Sequence, residues 1–179
     1  MNIELVTPQQ LARHAAEFHA LLRDAVEHGA SIGFTLPLAE TDVADYWRKV
    51  GAEVAGGNKV LFAAFAADSR LVGGAQLALE PRPNGRHRAE VQKVLVQAAA
   101  RGQGAGTALM ERLEAEARIR GRTLLFLDTS VGEGGAVKFY EQLGYTLCGG
   151  IPDYAADPDG RLKANAIFYK RLASGPGVP

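Results

Sequence analysis

The chain has 179 residues, 47% of them hydrophobic and 22% charged, with 21 glycines; these proportions suit one globular unit with a sizeable core and exclude a disordered chain. Its 20 Lys+Arg balance 20 Asp+Glu, so no net field draws it to DNA, RNA or an anionic membrane, and any anion it binds must be held by a local site. The single cysteine, Cys148, rules out an internal disulfide and a cysteine-based zinc cluster, and it agrees with a reducing compartment.

In chain order, residues 2–6 form a short apolar-leaning strand. Thr7 and Pro8 then open an amphipathic helix in which Leu11, Ala15, Phe18, Leu22, Ala25 and Val26 recur at helical spacing, ending near His28 and Gly29. After a loop over 29–37 punctuated by Gly and Pro, a second helix places Val43, Tyr46, Trp47, Val50 and Val54 on one face and stops at Gly56-Gly57. From Lys59 the period changes, and 60–67, 71–79 and 89–96 are strand-length runs, the first two forming an antiparallel hairpin. A glycine cluster at 102–106 leads into a helix with Ala105, Leu109, Leu113 and Ala117 on one face. A strand at 123–128 and a short helix at 136–143 complete a strand-helix-strand-helix unit. Strands at 145–148 and 166–171, joined by a polar loop, close a domain over 1–172, with 173–179 expected as a flexible tail.

These elements predict a mixed α/β (α+β) architecture, with one central sheet of about seven strands flanked by helices, antiparallel at its front and parallel in its middle. The longest apolar run, 60–67, falls far short of the roughly 20 residues a membrane helix needs. The N-terminus has no basic stretch followed by an apolar one, so neither a signal peptide nor a membrane partner is expected, and the location expected is cytoplasmic.

The most informative stretch is Val94-Leu95-Val96, a short connection, then Arg101-Gly102-Gln103-Gly104-Ala105-Gly106-Thr107 running straight into a helix. Glycines let backbone approach a ligand, the first helical N–H groups lack intrachain partners, and the helix dipole favours a negative charge there. Arg101 adds a permanently charged planar donor, so the loop has the properties of a pyrophosphate site. No Gly-x-x-x-x-Gly-Lys-Ser/Thr run exists, which excludes a P-loop. The dinucleotide fingerprint Gly-x-Gly-x-x-Gly fits Gly102 and Gly104 but meets Thr107 at its third glycine, although Asp128 mimics the ribose-binding acid of that fold.

The loop resembles motif A of the GCN5-related N-acetyltransferase (GNAT) superfamily, Gln/Arg-x-x-Gly-x-Gly/Ala, through Arg101, Gly104 and Gly106. Downstream, Phe139-Tyr140-Glu141-Gln142-Leu143-Gly144-Tyr145 is similar to the Phe-Tyr-x-x-Leu-Gly-Phe/Tyr block of that superfamily, and the element order from residue 1 to 172 matches its fold. Within the superfamily, 29–34, 83–85, 88–93 and 158–162 look like the tabtoxin-resistance type, which acetylates the amine of a small β-lactam toxin.

The resemblance implies that acetyl-CoA lies in a gap between splayed parallel strands, here 89–96 and 123–128. Backbone groups of Val94, Leu95 and Val96 then pair with the pantetheine arm, and one N–H there stabilises the oxyanion formed at the thioester. Arg101, Gly102, Gln103, Gly104, Ala105, Gly106 and Thr107 hold the pyrophosphate, with Thr129, Phe139 and Tyr140 also facing the cofactor. Thr129 and Ser130 stand where the family often has Asn. Only about one free alkylamine in two thousand is neutral at pH 7, so a general base is useful, and Glu90 and Asp128 are the candidates. Their plainer roles are an ion pair with Arg86 or Arg88 and a turn cap, respectively. Tyr140 takes the position of the general acid that protonates the CoA thiolate, or else is a core tyrosine. Ser31, Phe34, Glu90, Asp128 and Tyr154 are expected to shape the acceptor site.

The implied reaction is direct acetyl transfer to a primary amine of a small molecule, of the amino-acid, dipeptide or β-lactam toxin kind, by a monomer or homodimer. A non-catalytic acyl-CoA sensor and a dinucleotide-binding oxidoreductase are the alternatives. His14, His19, His28 and His87 have no metal-ligand spacing, so no metal is expected, and Cys148 reads as a small core residue in a strand.

Overall fold

A computed structural model of the chain describes residues 1–132 and 135–173, so all but the first residue of the tail expected at 173–179 lies outside the described residues. The front of the chain runs β1 (Asn2–Leu5), α1 (Pro8–Arg13), α2 (Ala15–Glu27), α3 (Glu40–Ala55), β2 (Lys59–Phe65) and β3 (Leu71–Leu79). The middle consists of β4 (Arg88–Val96), α4 (Ala105–Ile119), β5 (Leu124–Ser130) and α5 (Ala136–Gln142). After it come β6 (Thr146–Gly149), β7 (Ala155–Ala156), β8 (Leu162–Lys163) and β9 (Asn165–Arg171).

Seven strands form one sheet in the order β1-β2-β3-β4-β5-β9-β6. Every neighbouring pair in it is antiparallel except β4 and β5, as the sequence pattern predicts. Hydrophobic side chains on the two faces of this sheet build two cores. On one face, Leu109, Leu113 and Ala117 of α4 bury against Val60, Phe62, Val91, Leu125 and Leu127, and Ala105, one turn before Leu109, is buried as well. On the other, Phe18, Leu21 and Leu22 of α2 and Val43, Trp47 and Val50 of α3 pack over Leu61, Ala63, Leu71 and Leu95.

Four features depart from the sequence pattern. The helix expected from Pro8 to His28 breaks at His14, which leaves helical geometry at φ −100°, ψ 20°. There its ring nitrogen meets the Glu17 carboxylate at 2.5 Å and its ring lies tilted, 5.3 Å from that of Phe65. Cys148, expected in the core, is exposed, because β6 is the edge strand and none of its four residues is buried. The loop before β9 contains a small hairpin, β7–β8. The strand over 89–96 is interrupted by a bulge: Gln76 faces Gln92 and Gly74 faces Leu95, so Lys93 and Val94 together oppose Ala75. Lys93 adopts φ +48° there. The extra residue reverses the alternation of β4, so that Val91 faces the α4 core while Leu95 faces the α2–α3 core.

Phe168 of β9 is 0% exposed and lies 5.9 Å from the ring of Tyr140 at the centre of the α4 core. Phe168→Ala is expected to cost about 3–5 kcal/mol of unfolding free energy, read from urea denaturation midpoints. A loss under about 1 kcal/mol would mean that this face is not the core.

Candidate functional site

The parallel pairing of β4 and β5 lasts for only three residue pairs, Arg88 with Leu124, Ala89 with Leu125 and Glu90 with Phe126. Beyond them β4 stays on β3 and β5 stays on β9, so the two strands part while each keeps its antiparallel neighbour. The residues of β4 after Glu90 therefore present backbone with no strand partner on the β5 side, an edge that can pair with an extended ligand.

A cavity of about 630 Å³ occupies this region, within the usual range for a small-molecule site. Val94, Leu95 and Val96 form one wall, with Arg101, Gly102, Gly104, Ala105, Gly106 and Thr107 beside them. Thr129 and Ser130 of β5, Phe139 and Tyr140 of α5 and Ser31 of the α2–α3 loop complete the predicted part of the lining. Gly104 is the residue that caps α4 and adopts φ +85°, a conformation that costs a β-carbon residue about 1–2 kcal/mol. It exposes the unpaired N–H groups of the first turn of α4, where the dipole favours an anion. A β-carbon at Gly106 would stand 3.2 Å from Cζ of Phe139, so glycine lets α5 close against that turn.

These groups fit an elongated, phosphate-bearing ligand. The cationic side chains on the lining are those of Arg101 and Lys163, with His28 beside them, and among the described residues no carboxylate lines the cavity. Arg101 is exposed, its Nε donating to the carbonyl of Val96 at 3.3 Å, which holds the guanidinium stem at the loop mouth. Gln103 departs from its expected place on the lining. Its amide folds back to the carbonyl of Ala99 at 3.1 Å and its side chain is exposed.

The candidate carboxylates lie beside the cavity rather than on its lining. Ala89, Val91, Leu125 and Leu127 bury in the α4 core, so by alternation Glu90 and Asp128 face the α2–α3 side of the sheet, where the strands part. Glu90 is half-buried and accepts from the Gln92 amide at 2.9 Å. Arg88 bonds Glu80 at 3.1 Å instead, and Arg86 donates to the Pro81 carbonyl, so neither arginine pairs with Glu90. Asp128 is exposed, two residues beyond the last β4–β5 pair.

Lys93, at the bulge, sits close to both carboxylates. Burial pulls its ammonium below the usual lysine range, the charges of Asp128 and Glu90 push it back up, and Lys59 adds to the fall. The same face holds a buried relay, in which Lys59 donates to Gln76 at 3.2 Å and Gln76 donates to the Tyr46 hydroxyl at 2.7 Å. Phe34 packs edge-on to Tyr46 at 5.6 Å on this side rather than lining the cavity, and Tyr154, 51% exposed, does not line it either.

Tyr140 is 8% exposed, packed by Phe139, Tyr145 and Phe168, yet it contributes to the cavity wall. Burial, reinforced by the charge of Asp128, raises its phenol well above the ordinary tyrosine range. His28 and Lys163 are lining residues that the sequence pattern does not single out, one a helix end and the other within a charged hairpin. Among the described residues, no group of three His, Cys, Asp or Glu side chains is placed to hold a metal ion.

Residues 18–145 match the acetyltransferase (GNAT) family. The chain is 38% identical over 69 residues to the IAA acetyltransferase of Azospirillum brasilense, a match that spans 38% of this chain and 45% of that relative's length. The fold is shared with ribosomal-protein-alanine N-acetyltransferase from Brucella melitensis, at TM-score 0.78 and 24% identity, covering 96% of this chain and 100% of that one. It is shared also with yncA from Salmonella typhimurium, solved with its cofactor acetyl-CoA, at TM-score 0.79 and 19% identity, covering 100% and 98% of the two chains.

Proposed function

Because the chain belongs to the GNAT acetyltransferase family, we propose that it moves the acetyl group of acetyl-CoA directly to the primary amine of a small molecule in the cytoplasm, through one domain spanning 1–172. The observation that carries this reading is the cavity opened where β4 and β5 part, with an unpaired β-strand edge on one wall and the glycine-capped start of α4 on another. Backbone of Val94, Leu95 and Val96 holds the pantetheine arm, and the N–H groups after Gly104, with Arg101, hold the pyrophosphate. Phe139, Thr107 and Thr129 line the space between, and Gln103 sits outside it.

Bound there, acetyl-CoA supplies a thioester open to attack by an amine. The parted strands connect the two faces of the sheet, with Glu90 and Asp128 on one side and Tyr140 on the other. One of the carboxylates takes a proton from the acceptor ammonium, directly or through a water, and the freed nitrogen lone pair forms the new N–C bond. As the C–S bond breaks, Tyr140 Oη donates a proton to the leaving sulfur, while the nitrogen gives up its second proton to solvent and the phenolate recovers one from it. The environment that raises its phenol keeps Oη protonated throughout the neutral range.

A small acceptor is favoured by the closure above the cavity. Ser31 Oγ donates to the carbonyl of Ala156 at 3.4 Å, and the Leu36 N–H donates to that of Pro158 at 2.9 Å. The α2–α3 loop, which gives Ser31 to the lining, thus joins the β7–β8 hairpin, which gives Lys163 to it, and this favours a compact amine of the amino-acid, dipeptide or β-lactam type over a polypeptide tail. Such an acceptor is in keeping with the tabtoxin-resistance pattern at 29–34, 83–85, 88–93 and 158–162, and toxin or antibiotic resistance is the biological role it would serve.

Thiol release from acetyl-CoA against a panel of amines, amino acids, dipeptides and β-lactam amino acids tests the reading. Release is expected with one acceptor class, and binding of acetyl-CoA without release from any amine would move the weight to a sensor. Tyr140→Phe should lower kcat by about 100-fold or more while acetyl-CoA affinity stays within about two-fold, since only a hydroxyl is lost. Equal turnover by variant and parent removes Tyr140 from the mechanism. Gly104→Val should weaken acetyl-CoA binding by at least about ten-fold in calorimetry, because valine resists a positive φ and covers the exposed N–H groups. Retained affinity would place the pyrophosphate elsewhere.

A further inference from the structure

Lys163 lines the cavity without a task in the mechanism above. It reaches the cavity from a different direction than the glycine loop. Lys163 directly precedes the residue that extends the β5–β9 ladder, where the Val131 N–H donates to the Ala164 carbonyl at 3.0 Å. A β-carbon at Gly132 would lie 3.5 Å from Lys163 Nζ, so the ammonium stands against the backbone that leaves β5. Arg101 and the α4 start lie instead beyond the end of β4. The cavity therefore has two cationic positions on separate elements, and one pyrophosphate site accounts for the first.

Lys163 is also held in place before any ligand arrives. Its Nζ is 2.5 Å from Oδ2 of Asp157, a residue 6% exposed and fixed by its own turn. The Asp157 N–H donates to the Arg161 carbonyl at 2.9 Å, and the Gly160 N–H donates to the Asp157 carbonyl at 2.8 Å. An ammonium carries three N–H donors, so one carboxylate does not exhaust it, and a pre-placed cation loses little freedom when it meets an anion.

We infer that Lys163 receives a carboxylate on the acceptor, so that the acceptor is a zwitterion of the amino-acid or dipeptide class rather than a simple cationic amine. The inference rests on the acetyltransferase reading and deepens it. The amine end meets the carboxylates of Glu90 and Asp128 at the parting of the strands, and the acidic end lies toward Ser130 and Gly132. Asp128 and Ser130 are two residues apart on an extended strand, about 7 Å, a span that the amine and carboxylate of such a molecule bridge with side chains reaching from both ends.

The test is acetylation of matched acceptor pairs, an amino acid or dipeptide and its C-terminal carboxamide, by the parent chain and by Lys163→Met and Lys163→Arg. The parent should prefer the carboxylate member by roughly ten-fold or more in kcat/KM. Lys163→Met should erase that preference by raising KM for the carboxylate member alone, with kcat and the KM for acetyl-CoA unchanged, and Lys163→Arg should restore it. Equal use of both members by the parent overturns the inference without needing any variant. It is overturned equally by a Lys163→Met that raises the KM for acetyl-CoA, which would give Lys163 to the cofactor phosphates, or one that impairs both members alike. Acetyl-CoA binding with no turnover of any amino acid, dipeptide or carboxamide overturns this inference alone. Failure to bind acetyl-CoA overturns the reading it rests on.

Discussion

Two parallel strands that pair over three residues and then separate are the constraint on which the rest of this structure depends. Neither strand loses its other partner, because β3 holds β4 along its length and β9 holds β5 from Leu124 to Ser130. The sheet can therefore open at its centre without leaving its outer strands unsatisfied. What opens is polar backbone in a mostly buried setting, and such backbone must meet water or a ligand. A ligand with amide groups along an extended arm supplies both the shape and the hydrogen bonds.

The neighbouring elements are arranged around that opening. The bulge at Lys93 turns the end of β4 so that Leu95 packs beneath α2 while Val94 and Val96 lie toward α4. Gly104 starts α4 directly beyond this end, and Gly106 lets Phe139 of α5 come within contact distance of the same turn. α5 is short, and its place is secured from behind: Lys170 of β9 donates to the Leu143 carbonyl at its C-terminus and to Glu114 of α4, both at 2.7 Å. Tyr140 is thereby fixed between the helix that presents the anion site and the strand that carries Asp128. The proposed places of cofactor, leaving group and acceptor are three edges of one gap.

The sequence pattern revealed those parts whose physical requirement leaves a mark on residue type. Glycine at 104 and 106 is readable because a positive φ and a close helix contact exclude most other residues, and the four-residue repeat of Ala105, Leu109, Leu113 and Ala117 marks a buried face in any context. The strand positions were readable from their apolar runs, although β2 ends at Phe65 rather than at 67 and β5 runs on to Ser130 rather than stopping at 128. The bulge was not, since lysine at a left-handed φ carries no signature and its position is imposed by the register with β3. Cys148 is exposed for a reason of topology, because its strand has a neighbour on one side only. The hairpin that brings Lys163 onto the lining is set by tertiary closure with the α2–α3 loop, more than a hundred residues earlier in the chain.

Calorimetric titration of the purified chain with acetyl-CoA and, separately, with NADH tests the central claim most directly. An opening shaped by an unpaired strand edge and a single anion-binding helix start predicts saturable binding of acetyl-CoA in the micromolar range and none of NADH. Binding of NADH with no heat from acetyl-CoA would contradict the account, since it would return the glycine loop to the dinucleotide class and leave the parted strands without their ligand.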